Sequence, residues 1–365
     1  MSGLVDLLSS DQIEAINNFF DEARGRHPAW SAVNAKNREI KYCRKPKDFL
    51  VNQAVDAISW EGDNLAWRAD IVRRVSRMAD FEDVVGALAE IRCCGAMLEA
   101  GFQIRPIPTT KVPTPDFEFS LNGNDGVIEV TAKLEHGNEV ARARHIVNGE
   151  TPAGVERSAV SRPGGRIDFT ISEMHPFGAP DPNKPGDTVQ TNAISKICSI
   201  KCKETQIMDG RSRVLWIDFR DFGRWPGALT VDQSAPLICG PNGTLCSGAI
   251  WYAFYGWKGA PVFEDHMSGR RFVTPMAHFG RFAKEQSTPS QYSAAILCLE
   301  SDTIFFENPM AEMPLADAHR AALTRLPHFN LQFSIANWKE NDVECARTLA
   351  KNKIKALEHD RLRDE

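Results

Sequence analysis

No apolar run in the 365 residues approaches the roughly 18–20 residues that a membrane span requires. The longest candidate, AIWYAFYGW at 249–257, is short and aromatic and ends against Gly256 and Lys258, so it is expected to form a buried strand. The N-terminal MSGLVDLLSSDQIEA lacks a basic stretch ahead of an apolar block, so no secretory leader is expected. Positive charge is not in excess either. The 43 Lys and Arg stand against 48 Asp and Glu, a formal charge of −5, so any contact with phosphate must come from a local patch. The patterns GxGxxG, GxxxxGK[ST] and GxSxG are missing, which removes the dinucleotide, P-loop and hydrolase-elbow readings. There is no internal repeat, and 25 Gly and 21 Pro are too few for a collagen-like or low-complexity chain.

What is present reads as an ordinary soluble globular protein, 42% hydrophobic and 25% charged, long enough for one large or two modest domains. Nine cysteines, an odd number spread over a long chain, favour reduced thiols in a cytoplasmic setting over a disulfide framework. Neither Cys93 with Cys94 nor Cys239 with Cys246 has the repeated ligand spacing of a zinc site, so buried structural thiols are expected.

Along the chain, residues 1–79 read as a helical extension. Asp11 and Glu14 resemble a capping box ahead of IEAINNFF, and a second helical run begins near Asn64. A stronger helix is predicted over 80–100, where Val84, Leu88, Ile91, Gly95 and Leu98 form one stripe and Gly101 suits a left-handed helix end. Strands are predicted at 102–108, 115–121 and 126–134, the last two joined through NGND as an antiparallel hairpin. Residues 135–187, broken by RPGGR and HPFGAPDPNKPGD, read as an irregular insertion. A helix over 189–208, stopped by Asp209-Gly210, leads into the apolar strand RVLWIDF, expected at the centre of a sheet. The core thus spans 80–220, and 221–365 reads as a C-terminal α/β extension with strands at 249–256, 292–300 and 303–309 and helices at 315–326 and 341–361.

The chemistry-bearing residues cluster in 81–219. Glu90 lies in the first helix, Asp116 opens the second strand after Pro115, and Glu129, Thr131 and Lys133 alternate onto one face of the third. Twelve residues separate Asp116 from Glu129 across the hairpin, which can set the two carboxylates side by side. Adjacent carboxylates repel unless a cation lies between them, and Mg²⁺ takes such oxygen ligands while keeping waters for a phosphate. A neighbouring ammonium, here Lys133, would neutralise charge developing on a phosphodiester.

This pattern resembles the PD-(D/E)XK nuclease superfamily, whose shared core is helix, three strands, helix and strand. The resemblance implies a restriction-endonuclease-like αβββαβ core of α/β class (α+β mixed) with a central mixed sheet. By position, Glu90 matches the acid of the family's first helix, Asp116 that of Pro-Asp, and Glu129 that of the tripeptide. The tripeptide's lysine position holds Thr131, and Lys133 lies two residues further along the same face. The implied cofactor is Mg²⁺, with Mn²⁺ as a substitute, held by Asp116, Glu129 and Glu90. The implied partner is nucleic acid, DNA ahead of RNA, with no membrane, and a homodimer is compatible with the chain. On the 189–208 helix, Asn192, Lys196, Ser199, Lys203 and Gln206 share a stripe. Lys196, Lys203 and Gln206 are the substrate-contact candidates that the family's use of this helix implies, and Thr131, at the tripeptide's lysine position, is a fourth.

Plainer readings stand beside each piece. Pro115-Asp116 is an ordinary turn opener, Glu129 can pair with Lys133, Glu90 can be an exposed helix residue, and a lysine stripe is commonly a solvated face. On those readings the protein is a catalytically degenerate binding module of the same fold, or an α/β interaction protein. Most of the aromatics at 251–257 are expected in the core, and His136 is held in reserve as a proton carrier.

Overall fold

A computed structural model of the chain describes residues 3–22, 25–35, 46–108, 114–134, 155–162, 165–172, 189–200, 210–221, 231–239, 245–265, 271–286 and 289–364. Its centre is a mixed six-stranded sheet, which makes the protein α/β. The strands are β1 (Gln103–Pro106), β2 (Phe117–Leu121), β3 (Asn124–Ala132), β4 (Ser212–Asp218), β5 (Ala294–Cys298) and β6 (Thr303–Glu307), in the spatial order β6-β5-β4-β3-β2-β1. β3, β4 and β5 run parallel, while β1–β2, β2–β3 and β5–β6 pair antiparallel.

The β2–β3 hairpin turns on Asn122 and Gly123, with φ of 51° and 76°. Two successive positive φ values match the hairpin turn whose twist suits the strands, and Asn-Gly is the pair that tolerates it. The tight turn starts β3 at Asn124, two residues ahead of the sequence expectation, and sets the register Phe117↔Ile128. β4 is the predicted RVLWIDF strand, flanked on both sides and buried at every position except Arg213.

The main helices are α1 (Ser10–Asn18), α2 (Pro46–Ala57), α3 (Leu65–Val75), α4 (Phe81–Glu99), α5 (Val189–Cys198), α6 (Ala249–Tyr255), α7 (Asp317–Leu323) and α8 (Glu340–Asp364). Gly101 follows α4 as expected, with φ of 92°, and at the other end Asp80 caps the helix by accepting from the Asp83 N–H at 3.1 Å. Its Leu88 and Ile91 pack into one core with Ile128, Val214, Trp216 and Ile296 from the sheet. Fully burying each such side chain contributes about 1.5–3 kcal/mol. Ile16, Val51 and Ile71 of the N-terminal helices enter the same core. The opposite sheet face, with Leu215, Ile217, Leu297 and Phe306, packs on Ile194 and Ile197 of α5 and on α6.

Four sequence expectations need correction. The first helix is capped by Ser9, whose Oγ accepts from the Gln12 N–H while Gln12 Oε1 accepts from the Ser9 N–H, so the capping box lies two residues before the Asp11–Glu14 pair. The apolar run at 249–255 is a helix, and all seven residues are buried. Unbroken apolarity carries no period, so it cannot separate a buried strand from a buried helix. Tertiary donors make so short a buried helix tolerable. The N–H groups of Arg281 and Phe282 donate to the Ala253 and Phe254 carbonyls at 2.8 Å, and Arg347 Nε donates to Tyr255 O at 2.7 Å. The helix expected over 189–208 ends at Cys198, where buried Arg281 Nη1 donates to the Ile197 and Ile200 carbonyls at 3.3 and 2.7 Å. Within the stretch read as irregular, Val155–Arg162 and Gly165–Ser172 pair as antiparallel strands in the register Val155↔Ser172 to Arg162↔Gly165. No helix among the described residues is long and apolar enough to cross a membrane.

Candidate functional site

The parallel strands β3, β4 and β5 end side by side, their last residues Ala132, Asp218 and Cys298 in register. In α/β sheets this carboxyl edge is where ligands bind. Ile128 and Val130 pack toward α4, so strand alternation turns Glu129 and Thr131 to the α5 side, paired in register with Leu215 and Ile217. Asp116 is held beside this strand through the hairpin. Its N–H donates to Ile128 O at 3.0 Å, and its Oδ2 accepts from the Val130 N–H at 2.6 Å. Asp116 is therefore fastened to both neighbours of Glu129, with its carboxylate standing where a ladder carbonyl would otherwise accept. Glu129 is only 9% exposed.

Just past the strand, the Lys133 N–H donates to Asp218 O at 3.1 Å. Lys196, from α5, donates through Nζ to Leu134 O at 2.6 Å, which brings a second ammonium to the same strand end. Burial, followed by the repulsion of Lys196 and Arg281, holds the Lys133 ammonium below the usual lysine range, and Glu82 opposes the shift. Asp116, Glu129, Thr131, Lys133 and Lys196 thus share one sheet edge. Lys203, Gln206 and His136 lie outside the described residues, as does the Asn192 side chain.

Glu90 is turned elsewhere. It faces α3, where Arg74 Nη1 donates to its Oε1 at 2.6 Å and the Trp67 indole N–H to its Oε2 at 3.3 Å. Glu118, on the same strand face as Asp116, is held by Arg211 and Arg105 at 2.9 and 2.7 Å; the Arg211 hydrogen bond leads the effects that keep its carboxyl below the usual range. Among the described residues no group of three or more His, Cys, Asp or Glu is arranged to hold a metal ion. Of the expected ligands, Asp116 and Glu129 are the two that lie on this strand pair. Carboxylates of this kind fit Mg²⁺, which is commonly held by one or two of them with waters and a phosphate completing its shell.

On the α4 side of the same edge is a charged group that the sequence reading did not pick out. Asp218, 1% exposed, accepts from Arg92 Nε at 2.9 Å and, through its other oxygen, from the Arg220 N–H at 2.9 Å. Arg92 Nη2 continues to Asp221 at 2.6 Å, and Lys47 of α2 closes on the other Asp221 oxygen. Arg220 Nη2 donates to Thr303 Oγ1 at 3.2 Å. The signal was in the chain: Asp218 is the acidic residue of an apolar strand and Arg92 the basic residue of an apolar helix, and buried charges in apolar runs must pair. Nearby Cys93, Cys94 and Cys298 are free and buried, and burial pushes the latter two thiols up to about 12, so they behave as small core residues.

Compared with protein-family models, curated proteins and solved structures, the chain has no match.

Proposed function

We propose that the protein is a metal-dependent hydrolase of nucleic-acid phosphodiesters, working at the α5 side of the carboxyl edge. The observation that carries this reading is the attachment of Asp116 to both neighbours of Glu129, with Lys133 and Lys196 at the end of the same strand. The succession α4, β1, β2, β3, α5, β4, with β3 and β4 parallel, supports it, because the PD-(D/E)XK superfamily that the sequence resembles has the same order.

In this reading Asp116 and Glu129 hold Mg²⁺, which when bound would acidify water and offset phosphate charge. Lys133 stands where the tripeptide lysine is replaced by Thr131, and its ammonium donates to a phosphate oxygen or orients the attacking water. Lys196 adds positive charge where the net charge of the chain supplies none. Purified protein with Mg²⁺ or Mn²⁺ should cut at least one of single- or double-stranded DNA or RNA. Asp116→Ala and Glu129→Ala should each abolish that cleavage with the fold retained, Asp116→Ala at a cost of about 1–3 kcal/mol for the Val130 N–H it orphans. Failure to cut all four substrates sinks the catalytic claim.

The engagement of Glu90 with Arg74, away from the edge, favours a second reading: a nucleic-acid-binding module of the same architecture without catalysis. Calorimetric titration separates the two. The hydrolase binds Mg²⁺ in a manner lost in Asp116→Ala, and the module does not.

A further inference from the structure

On the α4 side of the edge, a cavity of about 450 Å³ lies between α2 and α4, a size typical of small-molecule sites. Leu50, Ala96, Leu98 and Pro327 give it apolar walls, and Arg92 and Arg220 also line it. Among the described residues, the contacts around these arginines join three cations, Arg92, Arg220 and Lys47, to two carboxylates, Asp218 and Asp221. Arg220 is the least satisfied of the three. It is 5% exposed, its ion pair with Asp218 is long at 3.4 Å, and its Nε–H has no acceptor. A buried guanidinium short of acceptors beside apolar walls is a costly arrangement that a bound anion relieves. The unmet Nε–H of Arg220 suits a monoanion, and exposed Glu99 in the lining disfavours a polyanion.

We propose that this cavity binds a small carboxylate with an apolar body, its charged end at Arg220 and its hydrocarbon against Leu50, Ala96, Leu98 and Pro327. The site lies across the sheet from Glu129 and Lys133, so it stands or falls independently of the hydrolase reading.

Octanoate is the probe. Calorimetry on the full chain should show one saturable site, with acetate, which lacks the body, and octanol, which lacks the charge, each about tenfold weaker or worse. Arg220→Met should weaken octanoate by about tenfold or more. Because that change also touches Asp218, Ala57→Phe serves if the first variant does not fold. Residue 57 is exposed and lines the cavity, and a phenyl ring there fills it without entering the ion network, so octanoate binding should be lost at an unchanged melting temperature. Absence of octanoate binding at millimolar concentration overturns the proposal. So does full retention of binding in a folded Arg220→Met, equal binding of octanol, or tighter binding of a nucleoside monophosphate.

Discussion

The two sides of one strand edge carry buried charge in opposite ways. On the α4 side, Asp218 and Asp221 sit among Arg92, Arg220 and Lys47 in a linked set of ion pairs. On the α5 side, Lys133 lies near two further cations, Lys196 and Arg281. Both Asp221 and Lys133 titrate below their ordinary ranges, yet the causes differ. Burial alone would raise the Asp221 carboxyl, but Lys47 and Arg92 outweigh it and favour the charged form. For Lys133, burial and like charge both penalise the charged form. The first arrangement is a staple that holds α2 and α4 to the sheet, and the second gathers like charge at the strand end, with Glu82 as the opposing charge on Lys133.

The largest expected effect tests the staple. Asp218→Ala leaves Arg92 and Arg220 buried without their shared carboxylate and should cost about 3–5 kcal/mol in urea unfolding. A loss under about 1 kcal/mol would erase the contrast between the two sides. Next is Gly95→Ala. A Cβ there would fall 2.3 Å from Ala54 Cβ, where α4 crosses α2, so overpacking should cost about 1–3 kcal/mol and shift the helix that carries Lys47. Glu90→Gln comes third. Arg74 keeps Asp83 at 2.8 Å, so the expected loss is about 1–2 kcal/mol with the proposed cleavage retained, and loss of that cleavage at full stability would return Glu90 to the proposed metal site.

The smallest effects appear as pH dependence. Asp221 has a folded-state value below its ordinary 3.8, so the unfolded chain binds the extra proton in that window. Its stabilisation is complete above 3.8 and fades as pH falls toward the folded value, and Asp221→Asn should flatten the acid limb of the stability curve. Lys133 also binds its proton less well when folded. Stability should therefore rise with pH between its folded value and 10.5, as the cost of burying the charge is relieved, and Lys133→Met should remove that rise. A Lys133→Met curve identical to the parent's would show that this lysine is not confined as described.

Legibility in the sequence followed the strength of local signals. α4 was readable because an apolar stripe and a closing glycine agreed over 19 residues. The hairpin was readable from Asn-Gly, and with it the neighbourhood of Asp116 and Glu129, since register follows from a tight turn. α6 was misread because its burial on every side removes periodicity. The direction of Glu90 was hidden because its partner, Arg74, lies on a separate helix whose crossing no local pattern encodes.

By itself the order of residues determined the main elements, the turn between β2 and β3, and therefore which side chains share a strand face, because those depend on backbone geometry over a few neighbours. Only folding decided which charges meet. Arg92 finds Asp218 across 126 positions, and Lys196 reaches Leu134 across 62. Such encounters are set by how helices pack on a sheet, and that packing is a collective outcome of buried area and charge desolvation rather than of any local stretch.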